Sequence, residues 1–189
     1  MPGQSPSQTV GPFFHDALSW HGAEALVRPD TRGERIAIVG RILDGDGQPV
    51  PDALIEIWQA NAAGRYAHPE DTQDKPPDSA FHGFGRCASG RDGAFRFSTI
   101  RPGRVRGRGN NLQAPHINVG LFARGLLRRL VTRIYFEDAA ENADDPVLAL
   151  VTDPARRSTL LAKRVDGAGA VYRFDIVLQG EDETVFFEC

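Results

Sequence analysis

The 189-residue sequence predicts an all-β fold, an antiparallel β-sandwich with a long N-terminal arm and one or two short helices. Three observations support this. Short runs of alternating apolar and polar residues recur from residue 35 onward, and glycine- and proline-rich turns separate them. No strand-helix unit repeats, which argues against a parallel α/β sheet.

Residues 1–34 show no sustained period, because Pro6, Gly11, Pro12, Gly22, Pro29 and Gly33 interrupt any regular element. Val10, Phe13, Phe14, Leu18, Trp20, Leu26 and Val27 are too apolar for a free tail, so this arm should pack on its own domain or on a second chain. The sandwich is expected over 35–189, with no composition break that would mark a second domain. Residues 35–43 read as a strand, Asp44-Gly45-Asp46-Gly47 as a tight turn and 53–59 as the return strand. A loop holding Tyr66, His68, Pro76 and Pro77 follows, and alternation resumes at 93–100, 115–124 and 130–136. Asp145-Pro146 and Asp153-Pro154 each place a capping residue before a proline, predicting short helices over 147–151 and 158–163. Strands at 171–178 and 184–187 close the chain, for six or seven in all.

A net charge of −3 gives no reason to expect nucleic acid or an anionic membrane as partner. Two cysteines, Cys87 and Cys189, are too few for a disulfide framework. No apolar run reaches the roughly 20 residues of a membrane span, and the opening residues lack the basic and apolar segments of a secretory signal. A cytoplasmic protein is expected. Arg96, Arg101, Arg104, Arg106 and Arg108 cluster, but no helix start or interleaved aromatic residues accompany them, so a solvated loop or interface rim is expected rather than a phosphate site.

The stretch 115–124 has an unusual second face. Ile117, Val119, Leu121 and Ala123 form one apolar set, while His116, Asn118, Gly120, Phe122 and Arg124 form the other. An imidazole, an amide, a guanidinium and a gap at Gly120 suit the lining of a polar cavity. Read locally, however, a single His on such a face is an ordinary hydrogen-bonded residue. No Cys pair, His-x-His or His-Glu-x-x-His spacing points to a metal, and no Gly-x-Ser-x-Gly elbow points to a nucleophile.

Taken together, the pieces are far more specific. Ser7-Gln8-Thr9-Val10-Gly11-Pro12, Ile55-Glu56-Ile57-Trp58-Gln59-Ala60-Asn61-Ala62-Ala63-Gly64-Arg65-Tyr66, Ile100-Arg101-Pro102-Gly103, Ala114-Pro115-His116-Ile117-Asn118 and Tyr172-Arg173-Phe174-Asp175-Ile176 with Gln179-Gly180-Glu181 resemble the intradiol ring-cleavage dioxygenases over nearly the whole chain. That resemblance implies an enzyme family holding non-haem ferric iron with two tyrosinates and two histidines, in which dioxygen enters between the hydroxylated carbons of a catechol. Tyr66 matches the first tyrosine ligand and His116 the first histidine. Asn118 stands where the second histidine belongs, and Gly103-Arg104-Val105 where the second tyrosine would lie. A neutral amide is a poor ligand for a ferric ion, so no metal site and no catalytic residue are expected in this chain.

Within the family the chain resembles the iron-free alpha subunits, which pair with an iron-bearing beta subunit of the same fold. The resemblance implies that Fe(III) belongs to that partner and that Thr9, Gly11, Pro12 and Arg124 line the partner's pocket near the carboxylate of 3,4-dihydroxybenzoate, which is opened to 3-carboxy-cis,cis-muconate in aromatic catabolism. Tyr66 and His116 keep a structural reading, as a hydrogen-bonded pair in a vestigial pocket with Asn118, and Val185-Phe186-Phe187 is expected to be covered by the partner. Two alternatives stay open: a self-sufficient metalloenzyme recruiting Tyr66, His116 and a third ligand such as His82, and a transthyretin-like module that binds a small aromatic without chemistry.

Overall fold

In the computed structural model, which describes residues 17–18, 21–107, 109, 111–165, 167 and 169–188, the alternating segments form two layers. The strands are β1 (Arg35–Leu43), β2 (Leu54–Trp58), β3 (Phe84–Ala88), β4 (Ala94–Ile100), β5 (Val105–Arg106), β6 (Leu112–Gln113), β7 (His116–Phe122), β8 (Leu130–Phe136), β9 (Leu161–Arg164), β10 (Val171–Arg173) and β11 (Ile176–Val177). One layer carries β4, β1, β10 and β11; the other runs β3-β2-β7-β8, and β9 links them by pairing with both β8 and β10. β5 and β6 form a separate two-stranded ribbon.

The layers meet through their apolar faces. Ile36, Ile38, Ile42, Phe95 and Phe97 of one pack with Ile55, Ile57, Ile117, Val119 and Leu121 of the other in one buried cluster. Each such aliphatic side chain contributes about 1.5–3 kcal/mol relative to exposure. A polar link crosses the same interior. Gln59, fully buried just after β2, accepts from the Thr99 hydroxyl of β4 at 2.7 Å and donates to the Ile100 carbonyl at 2.9 Å.

The expected antiparallel pattern holds for most pairs, but β1 with β10, β1 with β11 and β8 with β9 run parallel. Parallel neighbours need a crossover connection, and residues 137–160 supply one between β8 and β9. That crossover also corrects the expected helices. Asp145 caps only a 3-10 turn, Leu148–Leu150, through Val147 N and Leu148 N at 2.8 Å each. Asp153 caps α1 (Pro154–Ser158), and Leu160 and Ala162, read as helical, are instead buried at the entry to and within β9.

Other departures also have physical reasons. β3 was read as loop; its place is set by pairing with β2 rather than by its own pattern. The expected strand 171–178 breaks at Phe174-Asp175, where the Asp175 carboxylate takes Arg41 N at 2.9 Å and the Phe174 carbonyl approaches Gly40 so closely that a Cβ there would lie 1.9 Å away. Residues 184–187 form no strand. Thr184 is buried, and Val185 and Phe187 pack on a small cluster of Ala114, Tyr135, Leu148 and Leu160, with Phe187 N bonded to Val131 O at 2.8 Å. Val185, Phe186 and Phe187, expected to be covered by a partner, each pack in part on their own domain and stay partly exposed. Arg101, expected in a solvated loop or interface rim, makes a two-pronged ion pair with Asp138 at 2.9 and 3.1 Å and lies over the Phe136 ring.

Of the arm, residues 23–26 close the gap between the layers: Arg86 N of β3 donates to Ala23 O, Leu26 N donates to Ser98 O of β4, and Leu26 enters the core. Thr9, Gly11 and Pro12 lie outside the described residues.

Thr99→Val keeps the shape of the interior but strands the Gln59 side-chain oxygen without its donor. The expected outcome is a loss of about 1–3 kcal/mol in chemical denaturation, and an unchanged midpoint would show that this link does not hold the layers together.

Candidate functional site

β7 lies between β2 and β8, and this register decides which side chains meet. Trp58 of β2 is opposite Asn118, and Asn118 is opposite Arg133 of β8; Phe84 of β3 pairs with Trp58 at the other end. Cross-strand partners share a face, so Phe84, Trp58, Asn118 and Arg133 form a row across four strands. The next row is Arg86, Glu56, Gly120 and Val131, in which the Arg86 guanidinium is paired with the Glu56 carboxylate. Gly120 leaves a gap that the Arg129 stem overhangs, 3.1 Å from where a Cβ would sit. A groove of about 320 Å³ follows these rows, lined by Glu56, Trp58, Phe84, Asn118, Gly120 and Arg129.

Tyr66 reaches this face from a turn built by Asn61. The Asn61 side-chain oxygen accepts from Ala63 N and Arg65 N at 3.0 Å each, and its amide donates to Pro76 O. Gly64 adopts φ +82°, and a Cβ there would lie 1.9 Å from the Arg104 carbonyl; Lys75 Nζ donates to the carbonyls of both Gly64 and Arg104. The Gly103-Arg104-Val105 segment is thus clamped against the turn. Tyr66 N donates to the Asp71 carboxylate at 2.7 Å, and its ring stacks on Trp58 with centroids 5.7 Å apart. A second cleft, about 520 Å³, lies on this side and is lined by Trp58, Tyr66, His68, Asp71, Gln73 and Arg106. Trp58 separates the two.

The Tyr66 hydroxyl is bonded to Asn118, not to His116. Asn118 Nδ2 donates to Tyr66 Oη at 3.1 Å and to the Trp58 carbonyl at 3.2 Å; the carbonyl can only accept, which fixes the amide's orientation. The expected Tyr66–His116 pair is corrected accordingly. His116 is 3% exposed, and its Nδ1 lies 2.8 Å from the Ala114 carbonyl, so Nδ1 carries the proton and Nε2 is the lone-pair nitrogen. Its ring lies against Tyr135, whose hydroxyl donates to the buried Asp145 carboxylate at 3.2 Å. Arg133 Nη1 donates to Gln113 Oε1 at 2.6 Å and to Tyr135 Oη at 3.2 Å.

These surroundings keep the titratable groups uncharged. Burial pushes the Tyr66 phenol above its ordinary range, against the opposing Asn118 hydrogen bond and Arg133 charge. Burial, reinforced by the Arg133 charge, lowers the His116 imidazole to about 4. Burial also raises Tyr135, again against Arg133. A neutral phenol, one imidazole, an amide presenting its donors and an adjacent guanidinium do not fit a ferric ion, which needs anionic oxygen donors. Among the described residues no group of three His, Cys, Asp or Glu could hold a metal.

Of the other candidates, Arg124 is exposed in the β7–β8 turn and has no hydrogen bond or ion pair among the described residues. His82 is exposed ahead of β3. Arg133, Tyr135 and Asp145 were missed as site residues: the alternation in 130–136 showed a strand, but not which residue of it would face Asn118.

The depressed His116 value has a consequence for stability. The unfolded chain takes up this proton near pH 6.5 and the folded chain only near 4, so the unfolded state binds more protons in between. Stability should therefore fall as pH drops from about 6.5 to 4, by on the order of 3 kcal/mol from this residue. His116→Gln should flatten that part of the acid profile in pH-dependent denaturation; an identical slope would remove His116 as its source.

A family model described as Dioxygenase matches residues 10–180. The chain is 45% identical to the protocatechuate 3,4-dioxygenase alpha chain of Pseudomonas putida, over 98% of this chain and 96% of that one. It is 40% identical to the beta chain of the Burkholderia cepacia enzyme, over 94% of this chain and 77% of that one. Among solved structures, the dioxygenase domain of a dioxygenase carbohydrate-binding protein fusion from Streptomyces sp. SirexAA-E superposes with a TM-score of 0.62 at 28% identity, covering 95% of this chain and 92% of that one. With a sandwich of this kind, a family match over most of its length and 45% identity over nearly the whole chain, the chain belongs to the intradiol ring-cleavage dioxygenases, an iron-dependent family of oxidoreductases.

Proposed function

We propose that this chain serves as the alpha subunit of a heteromeric protocatechuate 3,4-dioxygenase, shaping a pocket whose Fe(III) is held by a homologous beta subunit. One observation carries this reading: the similarity to alpha chains spans nearly the full length, while the chain's own tyrosine-histidine face presents a donor set that does not fit iron. The reaction inserts both atoms of O2 into 3,4-dihydroxybenzoate between its hydroxylated carbons, giving 3-carboxy-cis,cis-muconate. No step of it is assigned to a side chain of this subunit.

The role assigned here is electrostatic and positional. Protocatechuate is an anion at neutral pH, and an arginine can meet a carboxylate with two parallel donors. Arg124 suits that task because its guanidinium is exposed at a strand end and unspent on any group among the described residues. Thr9, Gly11 and Pro12 of the arm would complete the wall of the partner's pocket. A cytoplasmic location is part of the proposal; no helix among the described residues is long and apolar enough to cross a membrane. His82, the third ligand of the self-sufficient alternative, is exposed ahead of β3, and among the described residues it joins no group of three His, Cys, Asp or Glu that could hold a metal.

In the reconstituted complex, Arg124→Ala should lower kcat/KM for protocatechuate by about 1.5–3 kcal/mol, roughly 10- to 150-fold, with iron content unchanged. Wild-type kinetics would remove Arg124 from the site. The chain purified without its partner should carry no iron above background by metal analysis and should not cleave the ring. A coloured, active chain would overturn the assignment of iron to the partner.

A further inference from the structure

We propose that the Arg133 guanidinium holds the electrostatic place of a metal cation on this face, so that the chain repels metal by charge as well as lacking ligands. The inference rests on the reading above that iron belongs to the partner, and extends it to a residue outside the family's ligand set. Arg133 sits directly opposite Asn118 in the β7–β8 register, beside the position whose imidazole is missing. It donates to Gln113 and to Tyr135, the cross-strand neighbour of His116. Both acceptors are neutral. Among the described residues no carboxylate lies within ion-pair distance of Arg133, although the side chain is only partly exposed; the Asp145 carboxylate is taken up by Tyr135 and three backbone amides. A cation set among neutral acceptors contributes little to stability but raises the local potential strongly.

The remaining groups are otherwise close to a metal site. His116 is buried, and the Ala114 carbonyl fixes its proton on Nδ1 and leaves Nε2 as donor, the arrangement that orients a ligating imidazole. Position 118 is two residues along the same face, and its side chain already reaches the Tyr66 hydroxyl. A histidine there would complete an imidazole-imidazole-phenol set. What would still oppose a cation is the neighbouring positive charge, so restoring a ligand without removing that charge should fail.

The test uses the full chain and cobalt(II), read by equilibrium dialysis and by the visible ligand-field spectrum. Asn118→His alone should bind cobalt no better than wild type. Asn118→His with Arg133→Gln should bind at least tenfold more tightly and show the ligand-field bands, which His116→Ala in that background should abolish. Asn118→His with Arg133→Lys keeps the charge and should return to the wild-type result. Arg133→Met repeats the neutral arm should the glutamine variant fail to give cooperative unfolding. Equal affinity in Asn118→His with and without Arg133, or binding by the lysine variant equal to that of the neutral ones, overturns the proposal, as does no gain in either neutral variant. Metal bound by the wild-type chain would sink both this inference and the reading on which it rests; binding by Asn118→His alone would sink only this one.

Discussion

The register of β7 between β2 and β8 is the constraint on which the site depends. Because side chains alternate, a slip of one residue would turn His116, Asn118 and Gly120 into the core and bring Ile117, Val119 and Leu121 out of it. The penalty is set by the apolar face, where those three side chains are almost completely buried against the opposite layer. Packing on one face of the strand therefore fixes the polar chemistry on the other. Trp58, Asn118 and Arg133 meet in a row because Ile57, Val119 and Thr132 are held on the reverse side.

On the polar face, charge is the quantity that sets the donor groups apart from those of a ferric site. A ferric site relies on phenolates, whose protons must leave as the metal binds. Here the Tyr66 oxygen accepts a hydrogen bond from an amide whose orientation is set by a backbone carbonyl, and the positive charge directly opposite that amide, Arg133, is covalently attached to β8. Tyr66, His116 and Tyr135 stay uncharged at neutral pH in this setting, each for the same leading reason, burial. The face is self-consistent without a cation.

Much of the framework was legible in the sequence, for local reasons. Alternation marked β1, β7 and β8 to within a residue or two, since each has one largely buried face. β3 was not legible. Phe84-Gly85-Arg86-Cys87-Ala88 has no clear period, and its strand state comes from pairing with β2 and from Ala23 on its other edge. The apolar Leu160-Leu161-Ala162 misled because a short buried strand and a helix segment look alike without a partner in view. In the site, His116 and Asn118 stood out by their spacing, whereas Arg133 and Tyr135 could be placed only once the β7–β8 register was known.

Several of the residues that carry the family resemblance are scaffold. Gln59 joins the two layers, Asn61 folds the turn, and Gly64 and Gly103 let the Arg104 segment approach it. None of these side chains touches the groove beside Asn118. They position a tyrosine, and they would do so whether or not an ion lay beyond it. The donor set that would face a metal comes instead from side chains on two paired strands. A resemblance built on the scaffold block thus carries the fold and the family, while the chemistry must be read from the few positions, Asn118 and Arg133 foremost, that face the end of that tyrosine.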